Sequence, residues 1–252
     1  MVSITQALER HASDENSHLS SDTSSVYHHS LVTDDSNALK FDAAASLQLL
    51  PTKIPKQPSQ TLAAPTDTRL IISPYNDDLH LLDLTTVDTP NRLLAKALTS
   101  LKPIRDDYAT AEYTESFNWS FVLETLRELA AAEGHEWKKQ SFYVVAFRSK
   151  LLDTTDTSYL HDLDFHSLAE ATASGGLLKY WFGTRNAELK NLATCVWRNR
   201  EDARRGGSGP WHKKARIAAR QLYESINFTT MEWTIGDGAE KGEFKAWNHP
   251  PI

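Results

Sequence analysis

An α+β fold with a ferredoxin-like βαββαβ core is what this sequence predicts, and three observations carry the prediction. Between residues 141 and 236 the stretches read strand, helix, strand, strand, helix, strand, an order that builds one antiparallel sheet with both helices on one side. All seven Trp lie at or beyond Trp119, which puts the expected core late in the chain. The first 67 residues hold no Trp and contain runs such as SDENSHLSSDTSSVYHHS, too polar to bury the apolar surface that would offset the entropy of ordering them. The expected organisation is a disordered tail and linker over 1–67 and a single α+β domain over 68–252, its core at 141–236.

After the Pro-rich linker LLPTKIPKQPSQTLAAPTD, LHLLDL (79–84) reads as an extra N-terminal strand. TPNRLLAKALTSL (89–101) reads as a helix, with Thr89 as N-cap and Pro90 in its first turn. YATAEY (108–113) is a weak strand. In FNWSFVLETLRELAAAEG (117–134), Trp119, Val122, Leu126 and Leu129 share a helical face that Gly134 ends. SFYVVAFRSKL (141–151) is β-branched and aromatic, the mark of a strand buried on both faces. In DTSYLHDLDFHSLAEATASGG (156–176), Leu160, Leu163, Leu168 and Ala171 run along one side of a helix that stops at Gly175 and Gly176. LLKYWFG (177–183) and LATCVWRN (192–199) are strands joined by a polar turn. PWHKKARIAARQLYESI (210–226) is a helix with Trp211, Ala215, Ala218, Leu222 and Ile226 on one face, and FTTMEWTI (228–235) is the final strand. The sheet face away from the two core helices needs cover. Spacing leaves two candidates open: a second copy, giving a homodimer, or the helices at 89–101 and 118–133.

Composition narrows the function class. A formal charge of −6 argues against a general nucleic-acid binder. No window reaches the length of a membrane span, and no apolar run after Met1 makes a secretory signal, so a cytoplasmic protein with no membrane partner is expected. A single cysteine, Cys195, excludes an internal disulfide and any Cys-rich zinc site, and its mid-strand position without an adjacent base argues against a nucleophile. No motif calls for a cofactor or a metal. The cations are unevenly placed: Arg198, Arg200, Arg204, Arg205, Lys213, Lys214, Arg216 and Arg220 cluster late, so a local anion site is compatible with a globally acidic chain.

The stretch RRGGSGPWHKK poses the sharpest question. Its glycines and the helix that follows could cradle an anion, with Arg205, Gly207 and Trp211 as contacts, in the manner of an acyl-CoA-dependent N-acetyltransferase. Against this, charged REDARR rather than a strand precedes it, and Pro210 removes an amide a phosphate would use. A loop-to-helix corner is the reading preferred here. His212 and Tyr223 are candidate catalytic groups on the last helix, against a solvated-surface reading for His212. His166, with Asp162 and Glu170 four residues to either side, is a third candidate, a polar helix face being the plainer reading. On the strands, Lys179, Trp181, Trp197 and Arg198 could line an aromatic-floored pocket, with Arg148 adding a second cation; an aromatic core with strand-end cations is the alternative.

SGGLLKYWFG (174–183), NLATCVWRNREDA (191–203) and GGSGPWHKKA (206–215), with FNW (117–119) and FYVVAFRS (142–149), resemble a family of ascomycete fungal proteins known only as uncharacterised. The resemblance spans roughly residues 115–236 and implies no established activity. At superfamily level the pattern resembles dimeric α+β barrels of the antibiotic-biosynthesis-monooxygenase type, an analogy of fold rather than chemistry. The expected function is binding of a small-molecule ligand, or cofactor-independent catalysis on it, in a pocket between sheet and helices. Arg148 or Arg198 would hold a developing anion and His212 or His166 act as base. Acyl transfer at 205–211 and a non-catalytic interaction protein using an uncovered sheet face are the rivals.

Overall fold

The computed structural model describes residues 68–247. The expected tail and linker lie outside the described residues. Two short strands, β1 (Arg69–Ile71) and β2 (Leu81–Asp83), pair antiparallel as a separate ribbon. Helices α1 (Thr89–Ala97), α2 (Tyr113–Ser116) and α3 (Trp119–Ala132) follow. Then come β3 (Gln140–Leu151), α4 (Thr157–Ser174), β4 (Leu177–Phe182), β5 (Lys190–Trp197), α5 (Arg200–Gly206), α6 (Pro210–Leu222), β6 (Tyr223–Ile235) and β7 (Gly242–Ala246). The main sheet runs β4-β5-β3-β6-β7, every pair antiparallel. Its first four strands, with α4 and α6 between them, are the βαββαβ unit that the element order predicts.

β3 is the central strand, and its alternation divides the molecule. Phe142, Val144 and Ala146 are buried on one face, where Trp233 stands against Trp119 at 5.0 Å between ring centroids. That face carries the main core, built with Val122 and Leu126 of α3 and with Leu93 and Leu94 of α1. The open alternative is thereby decided: the chain's own N-terminal helices cover the face. It is not left free for an interaction partner, and a second copy would have to use another surface. Tyr143, Val145 and Phe147 point the other way, toward α4, α5 and α6.

Local chemistry explains where elements depart from expectation. The residues YATAEY do not form a strand. Arg148 gathers the carbonyls of Tyr108, Ala109 and Ala111, and three carbonyls turned to one guanidinium cannot belong to an extended segment. Asp88 rather than Thr89 caps α1, accepting from the Asn91 amide. Of LHLLDL only Leu81–Asp83 is strand. The charged run before the glycines folds as α5, with Asn199 accepting from the Asp202 amide, acids in its first turn and Arg204 and Arg205 in its last. The helix expected to reach residue 226 ends at Leu222. β3 is long enough to offer ladder partners to the residues beyond, pairing Ser149 with Ile226 and Phe147 with Phe228.

Candidate functional site

Between the sheet and α4–α6 lies a cavity of about 990 Å³, of the size and apolar character usual for small-molecule sites. Its floor is the sheet: Tyr143, Val145 and Phe147 of β3, Cys195 and Trp197 of β5, and Phe228 of β6. The helices meet one another over the floor without filling the space. Leu163, Ala218 and Leu222 make a small separate cluster that fastens α4 to α6. Phe228 stays 56% exposed beside Phe147, so the cavity opens along β6.

Among the described residues, one carboxyl stands in this wall. Asp164, on the apolar side of α4, accepts the Tyr180 hydroxyl at 2.5 Å on one oxygen and the Tyr75 hydroxyl at 2.7 Å on the other. Tyr75 comes from the loop after β1. It is held there because His80 joins Asp77 to the Phe165 carbonyl at 2.7 and 2.8 Å, fastening that loop to α4. Burial pushes the Asp164 carboxyl above the ordinary range, although the two phenols partly oppose the shift. Burial and the neighbouring carboxyl raise both tyrosines. The Cys195 thiol is pushed up by burial too, so it lines the floor as a neutral group. One turn past Asp164, Ser167 is 8% exposed, faces the same cavity, and its hydroxyl has no hydrogen-bond partner among the described residues.

The glycine corner is closed by the chain itself. Glu170 of α4 accepts the backbone amides of Trp211 and His212 at 2.7 and 3.2 Å, and its second bond to His212 runs to Nδ1 at 3.1 Å. The anion at this helix N-terminus is therefore a carboxylate of the protein. Burial alone would raise the Glu170 pKa, but these bonds outweigh it and hold the group below its ordinary value. The glycines allow close approach: a Cβ on Gly206 would overlap the Trp197 ring and one on Gly209 the Glu170 carboxylate. The preferred corner reading stands. The acyl-CoA cradle is corrected, because α5 rather than a strand leads into the loop and its amides are taken.

A profile of the PB2B2.08-like family matches residues 71–246. This chain belongs to the PB2B2.08-like family. UPF0643 protein PB2B2.08 of Schizosaccharomyces pombe is 35% identical over 193 residues, covering 71% of this chain and 86% of that protein. Two solved structures are similar over part of the PB2B2.08-like chain. SnoaB, a cofactor-independent oxygenase from Streptomyces nogalater, is 13% identical with a TM-score of 0.30, covering 36% of this chain and 90% of its own. A Nitrosomonas europaea chain assigned to antibiotic biosynthesis monooxygenases is 10% identical with a TM-score of 0.31, covering 45% and 96%. At those values the fold rests on the strand order and register given above.

In this PB2B2.08-like chain four of the residues proposed from sequence reach the cavity: His212, Tyr223, Trp197 and Gly207. Burial raises the Tyr223 phenol to about 12. The others serve elsewhere. Trp181 and Lys179 sit on the far face, because β4 pairs Tyr180 with Cys195 and Trp181 with Thr194, leaving Tyr180 as the cavity residue. Trp181 meets Tyr108 and Phe117 edge-on there, and Lys179 is wholly buried. Arg148 is the clamp on the 108–111 carbonyls, on that same far face. Arg198 and Arg205 both bind the buried Asp202, Arg198 at 2.7 Å. His166 stacks on Trp211 at 4.1 Å, while Glu170 is bonded to α6, so the three residues of that helix face form no ligand set. Trp211 also carries Lys214 over its ring at 3.8 Å. Asp164, Tyr180, Tyr75, His161 and Ser167 went unread in the sequence. A carboxylate in line with Leu160, Leu163, Leu168 and Ala171 was the one available signal.

Proposed function

We propose that this chain binds a largely apolar small molecule in the cavity between the sheet and α4–α6, and that Asp164 exchanges a proton with it. The observation that carries the reading is the cavity's composition: largely apolar and aromatic walls with one half-buried carboxyl held between two phenols. Such a carboxyl keeps its proton to a higher pH than an exposed Asp, which suits it to general acid–base work. Tyr75 and Tyr180 position it by occupying both oxygens. His212 and Tyr223 line the same space and are available to a bound molecule from α6 and β6. Helix spans support a protein without a membrane-crossing helix among the described residues.

The test is fluorescence titration of the full chain with N-phenylnaphthylamine, a neutral apolar dye. Saturable, one-to-one binding is expected. Ala219→Trp, which projects an indole into the cavity from α6, should weaken it roughly tenfold or more by filling the space. A chain that takes up no dye, or a filled variant that binds it as the parent does, would sink the cavity reading.

A further inference from the structure

The charge around the cavity is lopsided. Asp164 is its sole carboxyl among the described residues, and it is bonded on both oxygens by phenols. Arg200, Arg204 and Arg216 all stand at the lining. Arg200 and Arg204 are one turn apart on α5, and Arg216 of α6 is brought to them by its bond to the Gly207 carbonyl at 2.8 Å. Arg204 is paired with exposed Glu201, whereas Arg200 makes no ion pair among the described residues. Asp202, the other acid of α5, is buried beneath and taken by Arg198 and Arg205. Residues 198–220 hold eight Lys and Arg against two acids, in a chain whose net charge is −6. Low-dielectric walls beside such a cluster focus its field into the opening.

Resting on the cavity reading above, we infer that the ligand is an anionic amphiphile. Its carboxylate, sulfonate or phosphate head lies at Arg200, Arg204 and Arg216, and its apolar body lies on Val145, Phe147 and Phe228. Guanidinium groups suit such heads because their donors match two oxygens at once. Ser167, buried and without a hydrogen-bond partner among the described residues, offers the body one hydrogen bond farther in. The lysines and arginines on the outer side of α6 would collect anions toward the opening.

Two dyes with one body separate the head from the cavity: anilinonaphthalene sulfonate, and the N-phenylnaphthylamine used above, which lacks the sulfonate. At low salt the full chain should bind the sulfonate roughly tenfold more tightly, since partly exposed ion pairs contribute modestly each. That preference should shrink as salt rises, while affinity for the neutral dye holds. The double variant Arg200→Gln, Arg216→Gln should bring the ratio close to one and leave neutral-dye affinity unchanged, its fold checked by circular dichroism. Equal affinities in the parent, or a ratio untouched by both salt and the variant, would overturn the inference while leaving the cavity intact. Failure of both dyes would remove the cavity reading and this inference with it. The salt series on the unaltered chain decides the matter should the double variant not fold.

Discussion

Asp164 lies one turn after Leu160 and one before Leu168, on the apolar side of α4, and meets phenols from segments 89 and 16 residues away. Because burial raises its folded-state pKa, the folded chain binds more protons than the unfolded one across the interval above the ordinary Asp value. Its contribution to stability is complete below that value and is lost as pH climbs through the raised one. Asp164→Asn cannot ionise, so its melting temperature should gain on the parent's as pH rises from the ordinary carboxylate range toward neutrality. Infrared titration should show a protonated-carboxyl band in the parent that persists above the ordinary range and is missing from Asp164→Asn. A melting-temperature difference that is flat in pH would contradict the assignment. This residue was partly legible in sequence, as a charge on an apolar stripe. Its partners were not, because hydrogen bonds across such separations leave no periodic trace.

At the scale of the element, the corner between α5 and α6 shows how a glycine-rich loop can imitate an anion site. The features that suggested a phosphate, open amides at a helix start and nearby cations, are present, but Glu170 from a third helix answers them. Its pKa is depressed, so its contribution is present above the ordinary Glu value and lost as pH falls through the lowered one. Glu170→Ala should cost about 1–2 kcal/mol at neutral pH, as loss of a helix cap does, measured by urea unfolding. The deficit should narrow in acid. Helix α5 was not read in the sequence, because a run of charges has no apolar face to announce it; its Asn199 cap and charge order were the signals there. The end of α6 was decided by the length of β3, a partner far off in sequence.

Over the whole molecule, the two faces of one sheet do different work. The face toward α1 and α3 is filled, with Trp233 fully buried against Trp119 and stacked on Phe244 at 5.3 Å. The face toward α4–α6 is left partly empty. Trp233→Ala should therefore cost about 3–5 kcal/mol in urea unfolding, as large aromatic deletions from cores do, while dye affinity of the folded protein stays unchanged. A loss of dye binding without loss of stability would mean the faces are not separate.

The sequence by itself determined the βαββαβ order and the existence of most of its elements, because both follow from short-range periodicity and local capping. Only the tertiary structure decided which strand face would be filled and which would hold a cavity, since that depends on which helices fold back onto the sheet. It also decided that Trp181 and Trp197 would part company, because cross-strand register, and not alternation along one strand, assigns residues of different strands to a common face.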